Sequence, residues 1–173
     1  MRNILIVYYS RRGENYWNGS IRKLEHGNTE IAAHMIADLT GGDCFEVETA
    51  APYSESYSSC VKEAVDELKH NARPELKGYP ESVDNYDTIF VGYPNWCGTM
   101  PMAMFTFLEH FDWTGKRILP FCTNEGSGMG RSEQDLKKLC PGATLEQGLS
   151  IHGAEVDTCR PAIEAWLQRV LPR

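Results

Sequence analysis

The chain has no cluster of Lys and Arg, no Cys-x-x-Cys pair, no long apolar run and no linker-like change of composition. Each absence removes a class of function. The balance of 17 Lys+Arg against 24 Asp+Glu, a formal net charge of -7, offers no basic surface. Nucleic acid and anionic lipid both require clustered cations, so neither is an expected partner. No stretch approaches the roughly 18 apolar residues of a membrane span. The apolar run after Met1-Arg2-Asn3 is too short for a signal-peptide core, and no small-residue cleavage site follows it. A cytoplasmic protein is expected. Six separated cysteines (Cys44, Cys60, Cys97, Cys122, Cys140, Cys159) fit neither zinc-ribbon nor thioredoxin spacing, and five histidines form no ligand pattern. Reduced cysteines and no metal site are the expectation.

Several catalytic signatures are missing as well. There is no G-x-x-x-x-G-K-[ST], and Gly126, Gly128 and Gly130 fall two apart, which fails the dinucleotide spacing G-x-G-x-x-G. No cysteine has an arginine six positions on, so Cys97 lacks the partner a phosphatase nucleophile needs. No G-x-S-x-G follows a strand.

What the chain does have is alternation. At 173 residues it has the length of one domain with a proper core, and a single domain over 1–173 is expected. Short runs rich in β-branched residues take turns with helical patterns. Residues 3–10, 44–48, 87–93, 117–123 and 143–151 read as strands, the second at an edge and the fifth split at Gly148. Between them a helix from Asn28 to Leu39 turns Ile31, Met35 and Leu39 to one side. A second presents Tyr57, Val61, Ala64 and Leu68, and a short third follows Pro101 with Phe105 and Leu108. Ser132 with Asp135 reads as a capping box for a fourth, and a fifth runs from Glu155 to Leu171. Five strands alternating with five helices imply a parallel sheet covered on both faces, an α/β domain of three layers.

Such sheets bind ligands beyond the carboxyl ends of their strands. The loop after the first strand begins at Ser10 and ends in Gly27-Asn28-Thr29, where a helix starts with unsatisfied amides and a positive dipole end. Hydroxyls and amides there suit a phosphate; equally, Ser, Asn and Thr cap and turn. The loop after the third strand carries Trp96, positioned to lie on a planar ring or to fold down over the core. Gly98 and Gly126 would let backbone groups come close to a ring edge. His152, after the last strand, either orients a substrate or caps a strand end.

With these residues in view, the chain resembles the flavodoxins, in particular a branch whose phosphate loop is interrupted by an insertion. "SRR" (10–12) and "GNTE" (27–30) resemble the two ends of that loop, with residues 13–26 spliced between. The resemblance implies a doubly wound five-stranded parallel sheet of order 2-1-3-4-5 and FMN as cofactor. It implies that Ser10, Arg12, Asn28 and Thr29 hold the phosphate. By the same likeness Pro94, Asn95, Trp96, Cys97 and Gly98 border one side of the ring system, and Thr123, Asn124, Glu125, Gly126 and Ser127 the other. Arg12 departs from the hydroxyl residue usual in that loop. Asn15, Tyr16 and Trp17 of the insertion either face the ligand or pack as a surface flap. The implied role is one-electron transfer between redox partner proteins, as a monomer with an acidic docking surface. A quinone or nitro reductase using NAD(P)H, built on the same fold as a dimer or tetramer, is the alternative. A receptor-like signalling domain on a similar fold would need an acidic cluster at the strand ends, where the third strand instead ends in Tyr-Pro-Asn.

Overall fold

The computed structural model describes residues 3–171. Its main sheet is built from β1 (Ile4–Tyr8), β4 (Asp43–Glu46), β5 (Thr88–Pro94), β6 (Arg117–Asn124), β7 (Thr144–Leu145) and β8 (Leu149–His152). The strands are parallel and lie in the order β4-β1-β5-β6, with β7 and β8 both pairing to β6. Counted as five strand positions this is 2-1-3-4-5, the doubly wound order. The first, third and fourth strands are buried along nearly their whole length, as continuous apolar runs require.

The fifth position is split for a chemical reason. Glu146 N–H donates to the Ile118 carbonyl, so the even-numbered residues of β6 turn their backbone toward β7 and β8. Pro120 therefore has no N–H to give on that side, and the ladder lapses there before resuming at Phe121–Leu149.

Strand alternation divides the interior into two cores. Ile4, Ile6, Tyr8, Phe90, Leu119 and Phe121 face α1 (Asn28–Thr40) and α5 (Arg160–Val170), meeting Ala32, Ile36, Ile163 and Trp166. Leu5, Val7, Tyr9, Ile89, Val91 and Tyr93 face the other way, toward α3 (Met102–His110) and α4 (Ser132–Leu139). α2 (Tyr57–Lys69) packs Leu68 against the same core, with Cys60 and Ala64 also buried.

Five details differ from the sequence reading. Residues 13–24 are a β-hairpin, β2 (Gly13–Trp17) with β3 (Ser20–Leu24), pairing Tyr16 with Ile21. On α1 the fully buried stripe is Ala32, Ala33 and Ile36, while Ile31, Met35 and Leu39 sit at its margin. On α2 the buried residues are Cys60 and Ala64, which leaves Val61 and Val65 exposed. Ser132 and Asp135 form no capping box. The Ser132 hydroxyl lies inside the first turn, donating to the Met129 carbonyl and accepting from the Tyr93 hydroxyl, and Asp135 accepts from the Thr99 hydroxyl. α5 also begins later than Glu155: a 3-10 turn occupies Gly153–Thr158, and Pro161 sits in the first turn of the α-helix. Among the described residues no helix is long and apolar enough to cross a membrane.

Candidate functional site

At the carboxyl edge of the sheet, a cleft lies where the loops after β1, β5 and β6 converge. Asn28, Thr29, Pro94, Asn95, Trp96, Thr123, Asn124, Glu125 and Ser127 all line it. Five of the expected residues do not. The Ser10 hydroxyl caps α1 from outside, accepting from Glu30 N–H at 3.1 Å. Arg12 turns away from the cleft and grips Glu30 through Nε and Nη2 (3.1 and 3.2 Å) and Glu46 through Nη2 (3.3 Å). Cys97 borders a neighbouring cavity, and Gly98 and Gly126 shape the backbone of their loops. In their place the cleft receives Arg11, Asn15, Tyr16, Tyr57 and Gly153. Trp17 stays on the hairpin, its ring 4.2 Å under the Arg22 guanidinium.

The first turn of α1 supplies donors. Gly27 stands at the N-cap without a side chain to cap with, and Ser10 satisfies only the Glu30 amide. Among the described residues the Asn28 and Thr29 amides have no partner. Gly27 is fixed by crowding, since a Cβ there would lie 2.1 Å from Ser10 Oγ. Thr29 and Thr123 bind each other's hydroxyls at 2.8 Å, which joins α1 to the end of β6 beneath the cleft.

Two loops form the opposite wall. Asn95 clamps them: its Oδ1 accepts from Gly98 N–H (2.9 Å) and its Nδ2 donates to the Gly128 carbonyl (2.9 Å). The tight turn after Trp96 places Cys97 and Gly98 at φ 56° and 87°, where glycine is at ease and cysteine is not. Trp96 is braced edge-on by Tyr9 and Tyr53, with ring centres 5.2 and 5.1 Å away. Burial raises the Cys97 thiol above its ordinary pKa, against the opposing charge of Arg131. It is therefore protonated at neutral pH, as expected of a residue without a nucleophile's partner.

The hairpin closes the third side. Its Glu14 carboxylate accepts from Tyr57 N–H at 2.7 Å, Tyr16 stacks on Tyr57, and the turn residue Asn18 donates its N–H to Glu125 Oε2. Glu125 Oε2 also lies 2.8 Å from His152 Nε2, so His152 meets a carboxylate across the cleft's edge. The other oxygen, Oε1, is buried with no hydrogen-bond partner. A buried carboxylate oxygen left so is costly unless a ligand donor completes it. Gly153 leaves room there, because a Cβ would come within 2.4 Å of Asn28 Nδ2 and 2.9 Å of Glu125 Oε1.

A family model described as flavodoxin matches residues 24–170. Among solved structures, a proposed flavoprotein of Bacteroides eggerthii is 28% identical with a TM-score of 0.79, covering 99% of each chain. A Lactobacillus acidophilus flavoprotein, solved in complex with FMN, is 21% identical with a TM-score of 0.65, over 91% of this chain and 98% of its own. Oxidised flavodoxin 2 of Bacillus cereus is 21% identical with a TM-score of 0.51, over 96% and 99%. The last two likenesses concern the fold alone. No curated protein matches the chain. With the doubly wound sheet in the family's order and the family model spanning most of its length, the chain belongs to the flavodoxin family.

Proposed function

We propose that the cleft binds FMN and that the protein transfers electrons between redox partner proteins. The observation that carries this reading is the cleft's pairing of free helix amides with an aromatic wall. The Asn28 and Thr29 amides suit a phosphate, Trp96 and Tyr57 flank space for a flat ring system, and Glu125 Oε1 awaits a donor. The donor set therefore fits the cofactor. Bound FMN would supply the redox chemistry, and the protein would supply position, polarity and exclusion of water. Asn28 and Thr29 hold the phosphate, Asn95 keeps the two ring-side loops in register, and Trp96 offers an indole held by two tyrosines.

A second reading, an NAD(P)H-dependent reductase of quinones or nitro compounds, is favoured by one feature. A further cavity of ≈ 300 Å³ adjoins the cleft beside Trp96, leaving space for a substrate. An absorption spectrum after reconstitution with FMN and desalting tests the cofactor. Flavin bands retained by the wild-type protein and lost in Thr29→Ala are expected; a colourless wild-type protein overturns the flavin reading. Anaerobic NADPH then separates the two roles: bleaching without a partner protein marks a reductase, and a spectrum unchanged until a reductase is added marks a carrier. A carrier is expected to sediment as a monomer, a reductase as a dimer or tetramer.

A further inference from the structure

Among the described residues Arg11 is a cation without a counter-ion. Its Nε donates to the Glu14 carbonyl (2.8 Å) and its Nη2 to the carbonyls of Ser54 and Glu55 (3.0 Å each). Those three bonds hold the guanidinium plane against the hairpin and the loop before α2, and Nη1 is left unused. Among the described residues no carboxylate lies within ion-pair distance of it, whereas Arg12, its neighbour, holds two. The nearest acidic side chain in sequence, Glu14, is committed to the Tyr57 amide.

Arg11 lines the ≈ 300 Å³ cavity beside the cleft. Most of the other walls are of a different character: Tyr57 and Trp96 are aromatic, Cys60, Val61 and Ala64 present the apolar side of α2, and the two asparagines there, Asn15 and Asn95, have their side-chain amides bonded to backbone groups. The volume lies at the lower end of the range for small-molecule sites, about 300–1,000 Å³. An apolar slot with one fixed guanidinium has a defined preference. A flat apolar body fills the slot, and an anionic oxygen on its edge takes the open Nη1 donors in a charge-assisted bond.

We propose that this cavity is a binding subsite for a small planar aromatic anion, gripped by Arg11. It rests on the flavin reading of the adjoining cleft for its role as a substrate site, and on the cavity alone for binding. The subsite lies between the hairpin, the loop after β5 and α2, so Val61, exposed on α2, borders its mouth.

The test is calorimetric titration of the full chain, with and without FMN, using 2-naphthoate and its neutral counterpart 2-naphthalenemethanol. Naphthoate is expected to bind more tightly than the alcohol in both forms. Arg11→Gln should weaken naphthoate by about tenfold or more and leave the alcohol within about threefold, the signature of a lost charge-assisted bond. Val61→Trp, a change at an exposed position, should fill the slot and abolish naphthoate binding while FMN affinity holds. Absence of any preference for the acid overturns the proposal. So does displacement of naphthoate by FMN, which would make the cavity part of the cofactor site. A loss of FMN affinity in Arg11→Gln with naphthoate unaffected assigns Arg11 to the cofactor phosphate and also overturns it. If the wild-type protein binds naphthoate but no FMN, the flavin reading fails while the subsite stands.

Discussion

Arg12→Gln separates a structural arginine from a ligand-binding one. Arg12 makes two bonds to Glu30, whose side chain is only 8% exposed in the first turn of α1, and a third contact to Glu46. Gln removes the charge and leaves two carboxylates facing one another. Removing one partner from a fully buried pair costs about 3–5 kcal/mol, and an exposed pair is worth roughly 0.2–1 kcal/mol. Arg12 itself is 54% exposed, so water screens it and the loss should fall near 1–2 kcal/mol. For a chain of this size that is a fall in Tm of about 2–8 °C. The effect has a pH signature. Burial opposes ionisation of Glu30, but the hydrogen bond and charge of Arg12, with smaller contributions from His26 and His34, outweigh it and hold the carboxyl below its ordinary pKa. A depressed carboxylate stabilises the fold above its unfolded pKa, about 4.3, and that stability is lost as pH falls through the folded value. The gap between wild type and variant should therefore be full at pH 7 and close below about pH 4. Scanning calorimetry at several pH values, with an FMN titration alongside, decides it. An unchanged Tm at pH 7 with FMN affinity down about tenfold would refute the placement of Arg12 away from the cleft.

Gly153→Ala should weaken FMN binding more than it weakens the fold. Its Cβ would crowd Asn28 Nδ2 and Glu125 Oε1 in the cleft, and fluorescence titration against Tm measures the ratio. Gly92→Ala should do the reverse: the new methyl would lie 2.1 Å from the Phe121 ring between two central strands, so urea unfolding should show a loss of about 1–3 kcal/mol or more. Iodoacetamide at pH 8 should label Cys44 and Cys97, the exposed thiols, and leave Cys60, Cys122, Cys140 and Cys159 unmodified until the chain unfolds. Burial pushes the Cys122 and Cys140 thiols up to about 12, so peptide mapping that finds either labelled in the native protein would contradict their burial.

The sheet was legible because burial on both faces leaves continuous apolar runs, and nothing in a run such as Ile4–Tyr8 competes with that reading. Helix faces were less so. Ile31, Met35 and Leu39 have the right spacing on α1, but the helix approaches the sheet closely enough that the small Ala32 and Ala33 take the contact. The capping box failed for a tertiary reason: the Tyr93 hydroxyl, buried at the end of β5, needs a partner, and Ser132 supplies it. The hairpin has a signal of its own in the sequence. Asn18-Gly19 has φ of 48° and 90°, the two positive values that a type I′ turn demands, and Asn-Gly is the sequence that favours it.

The positions of Ser10 and Arg12 outside the cleft follow from one rule carried past the end of a strand. In β1 the even-numbered side chains, Ile4, Ile6 and Tyr8, face α1, and the odd ones, Leu5, Val7 and Tyr9, face the opposite layer. The alternation does not stop at Tyr8. Ser10 still faces α1 and caps it; Arg12 still faces α1 and pairs with Glu30; Arg11 points to the other side, to the carbonyls ahead of α2. The family likeness runs along the chain and carries no record of which face each side chain takes, so its phosphate set holds Ser10 and Arg12 together with Asn28 and Thr29. The period-two geometry of an extended chain carries that record. From Leu5 onward, parity alone places the adjacent arginines on opposite sides of the loop, one bound into an ion-pair network and the other left open beside Trp96.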